Sequence, residues 1–409
     1  MTIKNSNMTI KNSNFIRFSL LILFISFVQG CATTSIKKTP TRTVQLDKPT
    51  LPAEMVDVHW AGFAFLGDYS QRATRYPYTS KIANQKVDGD SVIDKSLRSK
   101  LQGFTTSSYN LDTGLGDLKS GKGLSMALGV SYEDVYVVPF DGDYKVSYEI
   151  GLNLVVFDFV DKKIITVYPL RFLRNEVFSH RPTEAQNEKI IKSLYGGNGF
   201  DILQETINRM GELVIRPSYG NYIGVRNVNI SNQAFEKIPN NILANDIIKS
   251  QVAQELEGLL SKNAYTPVVP FSKGEIIGRS MAARFSNGKA YMLKLPELDY
   301  YIDIELRNFK KKTRKDHKGF SSLITVKAST DLTEISNIKL SHNSWVINDM
   351  SGSSKDSQWT LYEESLSKLL NDFTKQLAIS DSQWTKQHSV TKNAEKQMEG
   401  FRGLIRKSQ

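Results

Sequence analysis

The stretch YKVSYEIGLNLVVFDFVDKKIITVYPLRF, residues 144–172, decides the fold class. It contains two runs rich in β-branched and aromatic residues, Tyr144–Phe157 and Lys163–Phe172, whose composition is typical of strands. Between the runs lies Val160-Asp161-Lys162, a turn by composition. We therefore predict an antiparallel hairpin, with Val135–Val138 as a further strand before it.

Helical patterns lie on both sides of this hairpin in the sequence. The segment Ser91–Phe104 has apolar residues at helical spacing behind a residue that can cap a helix, and Asp201–Val214 has a similar pattern. Val58–Leu66 is predicted as a buried strand, Tyr69–Asp88 as a loop and Leu124–Val130 as a short helix. Strands and helices in this order predict an α/β (α+β-like) fold of sheets covered by helices.

The second half of the chain repeats this order. The helical segment Asp246–Leu259 matches Ser91–Phe104 at a shift of 155 positions, and the same shift lays Gly123-Leu124-Ser125-Met126-Ala127 over Gly278-Arg279-Ser280-Met281-Ala282. Later segments match in the same order at somewhat larger shifts. We therefore predict two tandem, duplicated sheet-plus-helices domains, residues 56–217 and 218–380, followed by a basic tail, residues 381–409, that is largely solvated or forms a short helix. Two unrelated α/β domains are the alternative.

The first 30 residues have the plan of a secretory signal peptide. Phe18–Val28 is an uncharged run behind three basic residues, and it is shorter than the about 20 apolar residues that a membrane-spanning helix needs. Cys31, the one cysteine of the chain, comes directly after Val28-Gln29-Gly30. With a single cysteine the chain forms no intramolecular disulfide.

The residues Val28-Gln29-Gly30-Cys31 resemble the bacterial lipobox. That resemblance implies cleavage before Cys31 and acylation of Cys31, as with palmitate. Ala32 follows where an aspartate would retain a lipoprotein in the inner membrane, so the resemblance implies a lipid anchor in the outer membrane, on its periplasmic side. The alternative is an ordinary secreted protein whose one cysteine falls at this position.

Composition and charge constrain the partners. Residues 31–55 are rich in Thr, Lys and Pro without an apolar period, so we predict a flexible tether. The net charge is +11, and three of these charges leave with the signal peptide. This balance favours anionic partners such as lipopolysaccharide, phospholipid headgroups or cell-wall polymer, whereas we expect no nucleic acid partner for an exported chain.

The order of elements in each half resembles the TolB N-terminal domain, the curli-secretion lipoprotein CsgG and the penicillin-binding-protein activator LpoB. The segments that carry the resemblance are Ser91–Phe104, Leu152–Leu170 and Asp201–Val214, with Asp246–Leu259, Ile324–Leu340 and Glu363–Leu377 as their counterparts. It implies periplasmic α/β domains that bind or assemble other proteins, and it transfers no catalytic residue.

Two local patterns suggest chemistry but are incomplete. Residues 116–122 fit most of a phosphate-binding loop, yet Gly123 stands where a Ser or Thr should hold Mg²⁺. Ser125 and Ser280 each lie in Gly-x-Ser-Met-Ala, close to the nucleophile elbow of serine hydrolases, although a helix-capping role explains them equally simply. The five histidines show no metal spacing, and we predict no metal and no cofactor.

The most basic stretch is Lys310–Lys318, between two predicted strands, Tyr300–Leu306 and Phe320–Ala328. We predict that it forms the tip of an extended hairpin, which either contacts anionic lipid, cell-wall polymer or an acidic protein or is simply solvated. Its cations are Lys310, Lys311, Lys312, Arg314, Lys315 and Lys318.

These patterns favour an outer-membrane lipoprotein that acts as a non-enzymatic periplasmic scaffold, assembly factor or secretion-accessory protein through protein–protein contacts. A periplasmic serine hydrolase using Ser125 or Ser280 is the first alternative. The second is a subunit of an outer-membrane secretion channel, for which Tyr144–Phe172 would be the amphipathic hairpin.

Overall fold

The computed structural model describes residues 51, 54–114, 123–140, 142–197, 199–244, 247–271, 276–277, 280–285, 289–347 and 355–409. The predicted signal peptide, Cys31, most of the predicted tether and the loop 116–122 lie outside these residues. All described residues belong to one compact unit, residues 43–409.

The fold is mixed α/β, as predicted. The strands are β1 (Val56–Leu66), β2 (Lys86–Val87), β3 (Asp90–Ser91), β4 (Tyr109–Asp112), β5 (Leu124–Phe140), β6 (Asp143–Asp158), β7 (Lys163–Phe178), β8 (Ile223–Ile230), β9 (Ile276–Ile277), β10 (Ser280–Phe285), β11 (Ala290–Lys294), β12 (Tyr300–Arg314), β13 (His317–Ser329) and β14 (Glu334–Ile347). The helices are α1 (Arg72–Arg75), α2 (Pro77–Asn84), α3 (Val92–Lys100), α4 (Glu184–Leu194), α5 (Ile202–Glu212), α6 (Asn232–Phe235), α7 (Asn240–Ala244), α8 (Ile247–Ala264), α9 (Lys355–Ile379), α10 (Ser382–His388) and α11 (Ala394–Ser408).

The first sheet has the strand order β4-β1-β5-β6-β7-β11-β10-β9, and β10 also pairs with β1. β1 runs parallel to β5, while β5, β6 and β7 form an antiparallel meander. The hairpin predicted at residues 144–172 is confirmed as β6 and β7. Its turn residue Lys162 adopts a positive φ of 53°.

The second sheet repeats this arrangement. Its order is β14-β13-β12-β8, with β8 parallel to β12 and the three later strands antiparallel. In both halves a first strand is followed by a helix, α3 or α8, and then by the meander. The domain boundary proposed at residue 217 stays a prediction, and β9, β10 and β11 from the second half of the chain extend the first sheet.

A buried carboxyl group joins helix to strand beside a β-bulge in each half. β1 bulges between Trp60 and Gly62, and the Phe63 amide donates to Asp94 Oδ1 of α3 at 2.8 Å. β8 has its irregularity beside Val225, whose amide donates to Glu257 Oε1 of α8 at 3.0 Å. Burial raises the pKa of Asp94 to about 6 and that of Glu257 to about 8. The two halves thus share a helix-to-strand link that sequence matching did not reveal.

The segment Leu124–Val130, predicted as a short helix, is instead the start of β5. Met126, Leu128 and Val130 face the core under the first-half helices, whereas Ala127 faces the opposite side. This alternation is the two-residue period of a strand. It is hidden in the sequence because both faces are apolar and buried.

The match between the two Gly-x-Ser-Met-Ala segments does not mark equivalent positions. Ser125 lies in β5, whereas Ser280 lies in β10, which is antiparallel to β1. The topological counterpart of β5 is β12, because both run parallel to the first strand of their own half. The duplicated topology therefore rests on strand pairing and not on this sequence match.

One segment predicted as a loop and one predicted as a tail with at most a short helix are both helical. Tyr69–Asp88 includes α1 and α2, whose neighbouring aromatics Tyr76 and Tyr78 are buried. The predicted tail, residues 381–409, forms α10 and α11 and contributes to the second core. The buried residues of α11 include Met398, Phe401, Leu404 and Ile405, which lie three to four positions apart. The exposed positions of α11 carry charges of both signs, among them Glu395, Lys396 and Lys407, and this charge made the helical period hard to recognise in the sequence.

The helices cover one face of each sheet. The first core lies between the meander and α2 to α5, and the second lies between the second sheet and α8, α9 and α11. The apolar residues of the 144–172 hairpin are used in the protein core, where Ile150 to Phe157 are almost completely buried. Within the described residues, no helix is both long enough and apolar enough to cross a membrane.

Candidate functional site: the basic hairpin

The basic stretch forms the tip of a hairpin, as predicted. β12 and β13 pair continuously from Tyr301 and Ser329 to Arg314 and His317, apart from one irregularity near Asn308. Residues 310–314 are all exposed, while Phe309 directly before them is buried. The cationic stretch therefore begins where the strands leave the core.

Strand alternation divides the cations between two faces. Lys310, Lys312 and Arg314 share one face, because they occupy alternate positions of β12. Across the ladder, Lys310 pairs with Ser321 and Lys312 pairs with Gly319. This face, here called the outer face, is the one not covered by helices in the second sheet.

The third strand adds an aromatic side chain to the outer face. Trp345 of β14 lies opposite Gly319, and a Cβ at Gly319 would be only 2.9 Å from the indole ring. The guanidinium of Arg314 lies 4.8 Å from the centre of that ring. Gly319 thus lets the indole lie flat on β13, where it meets a cation in a cation–π contact. Trp345 is 41% exposed, so this aromatic–cation pair is open to a partner.

The inner face fixes the hairpin to the core. Lys311 Nζ lies 5.8 Å above the ring of Phe320, and that ring makes an edge-on contact with Tyr362 of α9. Partial burial lowers the pKa of Lys311, and the nearby charge of Lys318 lowers it further. The base of the hairpin is therefore held rigidly while its tip projects from the core.

The charge of the tip is not required by the fold. Residues 310–318 contain six Lys or Arg residues and a single carboxylate, Asp316. The topologically equivalent turn of the first sheet, between β5 and β6, is Phe140-Asp141-Gly142-Asp143 and carries two aspartates. Since the same arrangement of strands tolerates opposite charges at the two tips, we interpret the basic tip as a functional feature.

A polar cleft of about 420 Å³ lies lower on the outer face. Arg226 donates to Asp303 through Nε at 3.0 Å, and Tyr301 stacks on the same guanidinium at 4.7 Å. Glu305 and Lys327 also line the cleft. Its charges are mixed, so the strongly cationic part of this face is confined to the hairpin.

The structure also contains a buried charged cluster that sequence reasoning missed. Arg171 of β7 contacts Glu149 of β6, Glu255 of α8 and Glu363 of α9 at distances of 2.5, 3.0 and 3.3 Å. Burial, followed by the charge of Glu149, raises the pKa of Glu363 to about 8. The cluster joins the first sheet to the helices of the second half, and we assign it a structural role.

Ser125, the candidate nucleophile, is placed near suitable residue types but is not accessible. Ser125 is paired with His59 of β1, and His59 is paired in turn with Asp112 of β4. The distance from His59 Nδ1 to Asp112 Oδ2 is 3.5 Å. Ser125 Oγ is fully buried and has no hydrogen-bond partner within the described chain. A substrate therefore cannot reach this hydroxyl in the structure. The side chain of Ser280 lies outside the described part.

The histidines do not form a metal site in the described residues. His342 and His388, distant in sequence, stack at 5.7 Å, and His388 stacks in turn on Trp384 at 4.7 Å. Burial lowers the pKa of His342. Across the part of the chain that the structure describes, no three His, Cys, Asp or Glu side chains are placed to hold a metal ion.

Comparisons with known proteins give little similarity. No protein-family model matches the chain, and no curated protein matches it in sequence. Among solved structures, a minor lipoprotein from Acinetobacter baumannii aligns with 38% of this chain and 91% of its own, at 9% identity and a TM-score of 0.22. An NTF2-like protein involved in plasmid conjugation aligns with 54% of this chain and 76% of its own, at 9% identity and a TM-score of 0.12. Scores this low support no argument about fold or function.

Proposed function

We propose that this chain is a lipid-anchored protein of the outer membrane that acts as a non-enzymatic scaffold or accessory protein in the periplasm. We further propose that its basic hairpin binds an anionic phospholipid surface. The observation that carries the proposal is the row Lys310, Lys312 and Arg314 with Trp345 beside it on one uncovered face.

The chemistry of this face suits a membrane surface. Each Lys or Arg held near an anionic membrane contributes about 1 kcal/mol of binding free energy. Tryptophan has an apolar ring with one polar N–H, and it is enriched at the boundary between headgroups and acyl chains. Trp345 at the base of the cationic tip adds this interfacial preference of tryptophan to the electrostatic attraction of the lysines and the arginine. A solvated tip would need no exposed indole.

The anchor and the hairpin would act together. Acylation of Cys31 would hold the body near the membrane, and a polybasic patch adds electrostatic attraction to anionic lipid. The hairpin provides such a second contact. Replacing Cys31 with Ser should move the protein from the membrane fraction to the soluble periplasm once the membranes are washed with high salt, which screens the hairpin. Retention after that wash would contradict the lipobox interpretation.

The test of the hairpin uses the full chain carrying Cys31→Ser, so that no acyl group contributes. Its binding to vesicles of mixed zwitterionic and anionic phospholipid would be measured by cosedimentation at low and high salt. The variant Lys310→Glu, Lys312→Glu, Arg314→Glu should bind at least about 100-fold more weakly, because three attractions become repulsions. Binding should also weaken as salt is added.

The matched control is Lys189→Glu, Lys375→Glu, Lys396→Glu, which changes the net charge equally at exposed lysines on α4, α9 and α11. It should retain most of the vesicle binding. Equal loss in both variants would mean that net charge alone drives association. Equal binding to purely zwitterionic vesicles would also contradict the proposal, and binding only to isolated cell-wall polymer would assign the hairpin to that partner.

A further inference from the structure

The two meanders differ in how their last strand is protected. In the second sheet, the chain itself covers the outer edge of β14 from Asn337 to Leu340. The amide of Lys339 donates to Thr391 Oγ1 at 2.6 Å, and its carbonyl accepts from the amide of Val390 at 3.2 Å. The amide of Asn337 donates to Gln397 Oε1 at 2.7 Å. The segment between α10 and α11 and the start of α11 therefore close this part of the edge.

The corresponding edge of β7 is occupied at its start by β11 and Val268 and is contacted by α8 beside Pro169 and Arg171, but beyond Arg171 it is open. The amide of Val167 points away from β6 and donates to the carbonyl of Val268. Because the regular pairing with β6 continues to Phe178, the main-chain N–H and C=O groups of the later odd-numbered residues also point away from β6. Pro169, the next outward position, has no N–H. Arg171, the outward position after Pro169, lies beside α8, and the outward amides beyond it, those of Leu173, Asn175 and Val177, have no partner within the described chain.

Exposed apolar side chains accompany these free amides. Val177 is 62% exposed and Leu173 is 40% exposed, both on the same face of β7. Phe200, which lies 6.0 Å from Phe172 between ring centres, is 47% exposed next to the same edge. An unpaired strand edge with apolar side chains is a template for pairing with another strand.

The sequence of the edge is complementary to itself in the antiparallel direction. If two copies meet with Asn175 opposite Asn175, then Leu173 lies opposite Val177 and Arg174 lies opposite Glu176 of the second copy. Phe172 then lies opposite Phe178. Apolar residues meet apolar residues and opposite charges meet, as a two-fold symmetric interface requires.

We propose that β7 pairs with β7 of a second copy of this chain, in an antiparallel dimer centred on Asn175. The two-fold axis brings the outward amides of Leu173, Asn175 and Val177 opposite carbonyls of the second copy, which makes six main-chain hydrogen bonds. The contact joins the two first sheets into one continuous sheet. It does not depend on the membrane-binding role of the basic hairpin.

Charge exchange tests the pairing directly. In the full chain, Arg174→Glu alone places two carboxylates opposite each other across the axis, and Glu176→Arg alone places two guanidiniums there. Each variant should dissociate at least about tenfold more readily than the wild type in analytical ultracentrifugation. An equimolar mixture of the two should recover the dimer, because opposite charges meet again in the mixed pair. A loss caused by misfolding would not be rescued by mixing.

A backbone variant provides an independent measurement. Asn175→Pro removes a central outward amide that makes no bond within the described chain, so the monomer should fold while the dimer dissociates. Asn175→Ala removes the same side chain but keeps the amide, and it should remain dimeric. A wild-type chain that sediments as a monomer from about 1 to 100 μM would overturn the proposal, as would a dimer unaffected by Asn175→Pro.

Cross-linking fixes the register. In the chain carrying Cys31→Ser, Asn175→Cys should form a disulfide dimer on oxidation, because paired Cα atoms at the axis are about 5.5 Å apart. Val177→Cys should not, since the two copies of residue 177 would be about 13 Å apart. Efficient cross-linking of Val177→Cys but not of Asn175→Cys would contradict the proposed register.

Discussion

Arg171 and Glu149 form a two-point ion pair between neighbouring strands of the first sheet, with Nε to Oε1 at 2.5 Å and the second nitrogen to Oε2 at 3.0 Å. Both side chains are largely withdrawn from solvent. The pair matters because a helix of the second half contacts the same guanidinium through Glu363.

Replacing Arg171 with Leu should lower the free energy of unfolding by about 3–5 kcal/mol, because it leaves Glu149 buried without its cation. Urea denaturation followed by circular dichroism would measure the change. The control is Lys95→Met, which removes an exposed partner of Asp88 and should cost less than about 1 kcal/mol. Similar stabilities of the two variants would show that the cluster contributes little.

Stability should fall as the pH rises from about 4.5 to about 8. Glu257 and Glu363 have their pKa values raised by burial to about 8 in the folded state, whereas an unfolded glutamate titrates near 4.5. Between these values the unfolded chain releases protons that the folded chain retains, so increasing pH favours unfolding, by a few kcal/mol at most.

Denaturation curves measured across this pH range would test that dependence. The variant Glu257→Gln cannot ionise and can still accept an amide hydrogen bond, so its stability should vary less with pH than that of the wild type. An unchanged pH profile in Glu257→Gln would exclude Glu257 as a source of the effect.

Gly319→Ala should displace Trp345 from the surface of the hairpin, since the added Cβ would approach the indole ring to 2.9 Å. Trp60, Trp359 and Trp384 are buried, so acrylamide quenching reports mainly on Trp345. We expect stronger quenching and a few-fold weaker vesicle binding, with the fold retained. Gly403→Ala, where a Cβ meets nothing within 4 Å, is the control and should change neither signal.

Phe401→Ala in α11 should destabilise the protein by about 3–5 kcal/mol, because it removes a fully buried ring that packs edge-on against Phe373 of α9. Lys396→Ala on the exposed side of the same helix should be nearly neutral. Thermal unfolding would separate the two variants. Equal stability of Phe401→Ala and Lys396→Ala would mean that residues 394–408 do not pack into the core and form a solvated tail.

Ser125→Ala should leave stability unchanged or raise it by about 1 kcal/mol, because it removes a buried hydroxyl without a hydrogen-bond partner. We also expect no labelling of Ser125 by a serine-reactive fluorophosphonate probe. Labelling that disappears in Ser125→Ala would instead support the hydrolase alternative and imply that the strand opens.

Local patterns predicted the parts of the fold that depend on neighbours in sequence. The 144–172 hairpin was recognised because β-branched runs flank a polar turn, and the basic tip was placed because strand patterns lie on both sides of it. A short helix was left open for the tail, but the packing of α11 into the second core was not predicted, because many of its exposed positions are charged. Trp345 was not assigned to the site, since its place beside Arg314 depends on the register of three strands.

Contacts between distant segments could not be predicted in this way. Arg171 lies 84 positions from Glu255 and 192 positions from Glu363, and nothing in a single sequence links them. The charge cluster and the open edge of β7 both result from how the two halves fold together. They became visible only when strand order and helix packing were known.

The covered part of the β14 edge restricts strand addition to the second sheet. A chain with two long free edges could add copies at both ends and grow into a fibre. Here residues Ser389 to Gln397 occupy the edge of β14 from Asn337 to Leu340, so a second strand cannot pair there. The segment that joins α10 to α11 therefore shortens the strand edge that this sheet offers to other chains.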